Sequence, residues 1–226
     1  ARWAEPVLAA PCAAVGGGTR GRASRIDQLL DAGRHLVARG LVQASGGNLS
    51  VRLPGTEHFL VTGSGTWLDR LTADDLVELT LDGERVGGAQ RPSVEWKLHQ
   101  RTYAVRPDVH AVIHLHPQHV LLVDMLGAPI RFTTLDHQFY LGSAGQVPFH
   151  PAGSQEIADA AAAAARDHDA VVMAHHGCST LGDTVSMALR RALNLEEAAA
   201  MTYRLLMAGD TTTDFPQEWK GNIISV

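Results

Sequence analysis

Between Val109 and Pro117 the chain reads VHAVIHLHP, an apolar run of strand length that carries His114 and His116 two positions apart and stops at a proline. Few features limit a fold more. Side chains alternate between the two faces of a strand, so residues at i and i+2 point the same way, with Cα atoms about 6–7 Å apart. A short apolar run of this kind is a strand buried in a sheet. A second such run, Ala170–Ala174, leads directly into His175-His176-Gly177. An isolated His-x-His pair is also what a half-buried strand produces by simple alternation. Two apolar strands ending in histidines, one beside a glycine, point instead to a site at the mouth of a sheet.

The rest of the chain supplies the elements that would cover that sheet. Ser24–Ala38 has helical apolar spacing and stops at Gly40. Asn48–Leu53 and Phe59–Thr62 read as strands across the Pro54-Gly55 turn, and Leu76–Leu81 as a strand closed by the hairpin dipeptide Asp82-Gly83. Ser93–Val105, Ser154–Arg166 and Thr184–Met207 read as helices, with the alanine run Ala160–Ala165 inside the second. Strands interleaved with helices predict a sheet covered on both faces. No segment repeats at a period typical of solenoids or propellers.

The chain has 226 residues, enough for one substantial core and cramped for two domains. Hydrophobic residues make up 45% and charged residues 19%, the balance of a globular chain rather than a disordered one. A formal net charge of −5 lacks the basic footprint of a nucleic-acid binder. No run approaches the ~18 consecutive apolar residues of a membrane span. Cys12 and Cys178 cannot build a disulfide framework, and the composition reads as cytoplasmic. Residues 1–22, rich in Ala, Gly and Pro, read as a partly irregular extension, and 23–226 as a single domain.

Glu95 is expected in the first turn of the helix that starts behind Pro92 with Ser93 as N-cap. With His114, His116 and a histidine of the second strand end, it makes a donor set of imidazole nitrogens and a carboxylate, which suits Zn²⁺. Two loops add a different chemistry: Ser45-Gly46-Gly47-Asn48-Leu49-Ser50 and Thr62-Gly63-Ser64-Gly65. Their glycines let backbone N–H groups approach an anion, and Asn and Ser add side-chain donors. Ser93 would contribute its hydroxyl and the positive end of its helix. Most Gly/Ser clusters are only turns, so the weight lies in the combination and its order.

In that order, SGGNLSVR (Ser45–Arg52), TGSG (Thr62–Gly65), PSVEWKLH (Pro92–His99), RPDVHAVIHLHP (Arg106–Pro117) and HHG (His175–Gly177), with the acidic pair Glu196-Glu197 beyond, resemble the class II aldolase/adducin family. The likeness is closest to its fuculose-1-phosphate aldolase branch and covers roughly residues 24–210. It implies an α/β fold of three layers, α/β/α, around a central, largely antiparallel sheet. It also implies a homotetramer with sites between subunits and a small-molecule substrate. By the resemblance Glu95 matches the catalytic glutamate that also sits at the metal, and His114, His116 and His176 match the ligands of Zn²⁺, with Mn²⁺ or Co²⁺ as other divalent occupants. Gly47, Asn48, Ser64, Gly65 and Ser93 match positions that hold the phosphate of a ketose. The implied reaction is that of a lyase making or cleaving a carbon–carbon bond through a metal-stabilised enediolate, with Glu95 moving the proton.

The chain departs from the pattern on the substrate side. Val94 stands where the aldolase branch carries a second serine, and no tyrosine follows Tyr203, although the tail holds Phe215 and Trp219. Asp136, His137 and Tyr140 of the middle loop are then the available second acids, with His137 and Tyr140 as the catalytic candidates. A decarboxylase branch acting on hydroxylated aromatic or heteroaromatic acids uses the same histidines without a phosphate pocket. The sugar-phosphate 4-epimerase branch usually has aspartate where Glu95 stands. Adducin-like heads keep the fold as a binding module, but a retired site has no reason to keep Glu95, His114, His116 and His176 together.

Overall fold

A computed structural model describes residues 18–220. Eight strands form one sheet: β1 (Asn48–Arg52), β2 (His58–Thr62), β3 (Leu76–Thr80), β4 (Arg85–Gly87), β5 (Ala111–Leu115), β6 (Gly145–Val147), β7 (Ala170–Met173) and β8 (Gly177–Gly182). Their spatial order is β4-β3-β2-β1-β5-β8-β7-β6. Every neighbouring pair is antiparallel except β6–β7, in agreement with the largely antiparallel sheet expected.

Strand parity sorts the chain into layers. Leu49 and Val51 of β1 and Ile113 and Leu115 of β5 pack with Leu29 and Leu36 of α1 (Gly18–Ala38) and Ala188 and Ala192 of α6 (Val185–Met207). On the other face Phe59 and Val61 of β2 and Val112 of β5 pack with Leu98 and Tyr103 of α2 (Trp96–Val105) and Ile157 of α5 (Gln155–Ala164). Each buried Leu, Ile or Phe contributes about 1.5–3 kcal/mol. A slip of one residue would send all of them to the wrong face, so the apolar set fixes the register. The polar residues of the same strands then follow by alternation: Asn48, Ser50 and His114 share the parity of Val112, on the α2 side, and Asn48 sits opposite His114 in the β1–β5 pairing.

Several elements differ from the sequence reading. Helix α1 starts at Gly18, inside the segment expected to be irregular; residues 1–17 lie outside the described residues. Helix α2 starts at Trp96, so Glu95 is its N-cap residue and Ser93 sits in the turn before it, with Ser93 Oγ accepting the Glu95 N–H at 3.3 Å. The helices α3 (Gln118–Met125) and α4 (Leu135–Tyr140) occupy stretches with no assigned element, α4 in what was expected to be a loop. The strands β4, β6 and β8 are likewise additions to the expected set. The last reads GCSTLG, small and polar, and becomes a central strand because it lies between β5 and β7.

Two glycines let chain segments close on the end of β5. A Cβ on Gly177 would lie 2.2 Å from the Leu115 carbonyl oxygen, and one on Gly47, whose φ is +78°, would lie 2.7 Å from that of His114. No larger residue fits either place.

Candidate metal centre

Two strand ends and one helix start meet beside those glycines. His114 is the fourth residue of β5, His116 lies just beyond its end, His176 precedes β8, and Glu95 precedes α2. The ligand-type atoms of the four side chains all lie within 4.8 Å of one another. Nε2 of His114 is 3.1 Å from Nε2 of His116 and 3.0 Å from Oε2 of Glu95. Nε2 of His176 is 2.9 Å from Glu95 Oε1.

The chemistry of this cluster suits a cation. Burial alone would raise the Glu95 carboxyl, but the neighbouring imidazoles of His114 and His176 more than offset it and hold the group well below the usual carboxylate range. Burial, followed by repulsion from His114 and His176, pushes His116 down to about 4. The set therefore offers an ionised carboxylate and, in His116, a neutral imidazole, the forms that bind metal. Glu95 Oε1 is buried and, among the described residues, meets only the His176 imidazole, outside hydrogen-bond geometry, and His176 Nδ1 is without a partner. Three nitrogens and a carboxylate converging with an oxygen to spare are what a divalent ion would satisfy. Behind them, Ser179 Oγ lies 3.4 Å from His114 Nδ1. A proton on Nδ1 leaves Nε2 free to face the cluster.

The cluster opens onto a cavity of about 430 Å³. One wall is Gly47, Ser64, Gly65 and Ser93, all expected as anion donors. The Thr62–Gly65 loop and the segment before α2 are zipped together: the Ser93 N–H donates to the Thr62 carbonyl at 3.0 Å and the Ser64 N–H to the Arg91 carbonyl at 2.8 Å. Val94 also lines the cavity and is 65% exposed. No Arg or Lys among the described residues lines it, so an anion there would rest on neutral N–H and O–H donors.

Asn48 lines the cavity as well, but its amide is already engaged. Its Nδ2 donates to Glu95 Oε2 at 3.1 Å, and its Oδ1 accepts from His99 Nε2 at 2.5 Å. His99 is fully buried, and burial, then the proximity of His114, pushes it down to about 3.

The other expected acids lie elsewhere. His137 on α4 is fully buried, 3.7 Å from Glu197, and Tyr140 accepts a hydrogen bond from Arg190 Nη1 at 3.0 Å. Neither lines the cavity. His175 does, and it is exposed. It is the one titratable residue among the described cavity residues outside the cluster, and its place beside His176 in the sequence is the signal for it. Glu196 accepts the N–H groups of His119 and Val120 at 3.2 Å and so caps α3 just after the histidine strand. Nothing local in the sequence marks that contact.

The profile of the class II aldolase and adducin N-terminal domain matches residues 27–203. A 5-methylthioribulose-1-phosphate/5-deoxyribulose-1-phosphate aldolase of Rhodospirillum rubrum is 32% identical over 185 residues, which cover 80% of this chain and 81% of that protein. An L-fuculose phosphate aldolase of Methanocaldococcus jannaschii is 34% identical over 169 residues, 75% of this chain and 90% of that protein. Among solved structures, a Klebsiella pneumoniae protein described as a candidate aldolase/epimerase/decarboxylase superposes with a TM-score of 0.82 at 28% identity, covering 89% of this chain and 98% of the other.

Proposed function

Because the chain belongs to the class II aldolase/adducin family, we propose that it is a zinc-dependent lyase that makes or breaks a carbon–carbon bond of a ketose phosphate or a related hydroxy-carbonyl compound. The observation that carries this reading is the convergence of Glu95, His114, His116 and His176 on the floor of a cavity walled by Gly47, Ser64, Gly65 and Ser93. The four side chains would hold the ion, which when bound supplies Lewis acidity for negative charge developing on a substrate oxygen.

The residues of the chain divide the remaining work. The glycine and serine wall anchors the anionic end of the substrate through N–H and O–H donors. Oε2 of Glu95 is occupied by Asn48, so Oε1 is the oxygen that carries a proton. In the synthesis direction the ionised Glu95 takes a proton from C3, and the C–H electron pair passes onto the C2 oxygen and then forms the C3–C4 bond with the aldehyde carbon. The aldehyde oxygen takes a proton to become the C4 hydroxyl. Cleavage runs these steps in reverse, the protonated Glu95 giving its proton to C3. The proton leaving the C4 hydroxyl is assigned to His175. The active assembly is a homotetramer with sites between subunits; Leu135 and Phe139 of α4, 56% and 48% exposed, are apolar groups that a subunit boundary would cover. Light scattering at micromolar concentration checks the assembly, and a monomer would contradict it.

Val94 favours one second reading. An exposed apolar side chain in the anion wall suits an aromatic ring, and decarboxylation of a hydroxylated aromatic or heteroaromatic acid would use the same donors. The deciding experiment incubates the zinc-loaded protein with dihydroxyacetone phosphate or dihydroxyacetone plus aldehydes, and separately with hydroxylated aromatic acids, and reads products by mass spectrometry. An aldol adduct is the expected result. Loss of CO₂ with no adduct would transfer the protein to the second reading.

A further inference from the structure

Asn48 and Ser50 stand at i and i+2 on β1, and His99 and Tyr103 at i and i+4 on α2. Two residues of strand and four of helix both advance about 6–7 Å, so the two pairs meet in register. Tyr103 OH lies 2.6 Å from Ser50 Oγ, and Ser50 Oγ lies 2.6 Å from His99 Nδ1. His99 Nε2 meets Asn48 Oδ1, and Asn48 Nδ2 meets Glu95 Oε2. Ser50 and His99 are fully buried, Tyr103 is 1% exposed and Asn48 4%.

We propose that His99 is a positioning residue for the reaction, the centre of a one-way hydrogen-bonded chain from Tyr103 through Ser50, His99 and Asn48 that clamps Oε2 of Glu95 and leaves Oε1 as the working oxygen. The inference rests on Glu95 being the proton carrier of the proposed reaction. Chemistry sets the direction of every bond. An ionised carboxylate can only accept, so Asn48 must turn its NH₂ toward Glu95 and its carbonyl toward His99. His99 must then carry its proton on Nε2 and accept on Nδ1, which obliges Ser50 to donate to His99 and Tyr103 to donate to Ser50. Burial pushes the Tyr103 phenol up, so it keeps the proton it has to give. Reversal of any one bond would face two acceptors or two donors inside the core and leave a buried polar group unpaired. The clamp also withdraws the Asn48 amide from the anion wall, so the side-chain donors left there are those of Ser64 and Ser93.

A chain that only stabilises the fold would not care which nitrogen of His99 is protonated or how turnover divides between kcat and KM. Ring ¹⁵N spectra of the metal-free protein should show His99 as the Nε2–H tautomer, and Ser50→Ala should erode that signature. His99→Leu should lower kcat of the zinc-loaded enzyme about 10²-fold, the cost of roughly 1 Å of misplacement, with KM nearly unchanged and zinc still bound at one ion per chain. His99→Gln keeps an N–H for Asn48 and a carbonyl for Ser50, and should recover most of the loss. An Nδ1–H tautomer in the wild type, or wild-type kcat in a folded His99→Leu protein, would overturn the proposal. If His99→Leu does not fold, the wild-type tautomer and kcat of Ser50→Ala decide the matter. The spectra need no substrate, so they stand apart from the reading of Glu95: wild-type turnover in Glu95→Gln beside an Nε2–H tautomer would sink the proton-carrier role and leave the chain of bonds in place.

Discussion

Oδ2 of Asp124, at the C-terminal end of α3, accepts the backbone N–H of His175 at 2.8 Å. His175 has φ +55°, a left-handed conformation that costs a non-glycine residue about 1–3 kcal/mol unless its surroundings hold it. The neighbour so placed is His176. Asp124 therefore sets the turn that presents an imidazole of the candidate metal cluster, although it touches none of that cluster's converging atoms itself. Asp124→Ala should weaken zinc binding about 10- to 100-fold, the usual range when an outer partner of a metal site is lost. Asp124→Asn keeps an acceptor oxygen and should stay close to wild type. Chelator competition reads both constants, and equal affinity in wild type and the alanine variant would show that the turn holds itself.

Ligand and base roles separate by substitution. His114→Ala should lose the metal and nearly all turnover. Glu95→Gln should keep most of the metal on three histidines while kcat falls by about 10²–10⁴, the span for a removed acid–base group. Elemental analysis beside steady-state kinetics distinguishes the two, and full metal occupancy in His114→Ala would remove that residue from the ligand set.

Val94 can be tested by supplying the missing hydroxyl. For a phosphorylated substrate, Val94→Ser adds a hydrogen bond to a charged group, about 1.5–3 kcal/mol or roughly 10- to 150-fold in affinity. Phosphoglycolate inhibition constants of the two proteins give the answer. Weaker inhibition of the serine variant would count against a phosphate in this wall.

The buried imidazoles also predict a pH dependence of the metal-free protein. An unfolded histidine binds a proton below its ordinary value of 6.5, whereas folded His99 resists protonation down to about 3 and His116 down to about 4. Between these limits the unfolded chain holds more protons. Stability is therefore complete above about pH 6.5 and falls as pH drops, by up to roughly 1.4 kcal/mol per unit for each such group. Urea midpoints of chelator-treated protein at pH 7 and pH 5 should differ in that sense. His99→Gln should flatten the slope, and a wild-type midpoint independent of pH would contradict the burial of both rings.

Much of the site is legible in the residues alone. The His-x-His pair on an apolar strand, the strand-end His176 and Glu95 beside the start of a helix come together because strand parity and chain breaks at Pro117 and Gly177 are local properties. Ser93 departs from the expected N-cap role because the chain makes a turn ahead of α2, which puts Glu95 at the cap position and Ser93 in the wall. The strand β8 has only a weak sequence signal, since Gly177, Ser179 and Gly182 dilute the preference of Thr180, and pairing with β5 and β7 supplies what propensity lacks.

The sequence by itself determined the layer pattern and the candidate metal cluster, since both follow from periodicity and from residue chemistry within a few positions. Only the tertiary structure decided that Asn48 serves Glu95 and not the anion wall, that Glu196 caps α3, and that Asp124 holds the turn at His175. Each of these is a hydrogen bond between residues 47 to 77 positions apart. Asn, Asp and Glu side chains accept many partners, and which one they meet depends on where the packed apolar layers have already put the backbone.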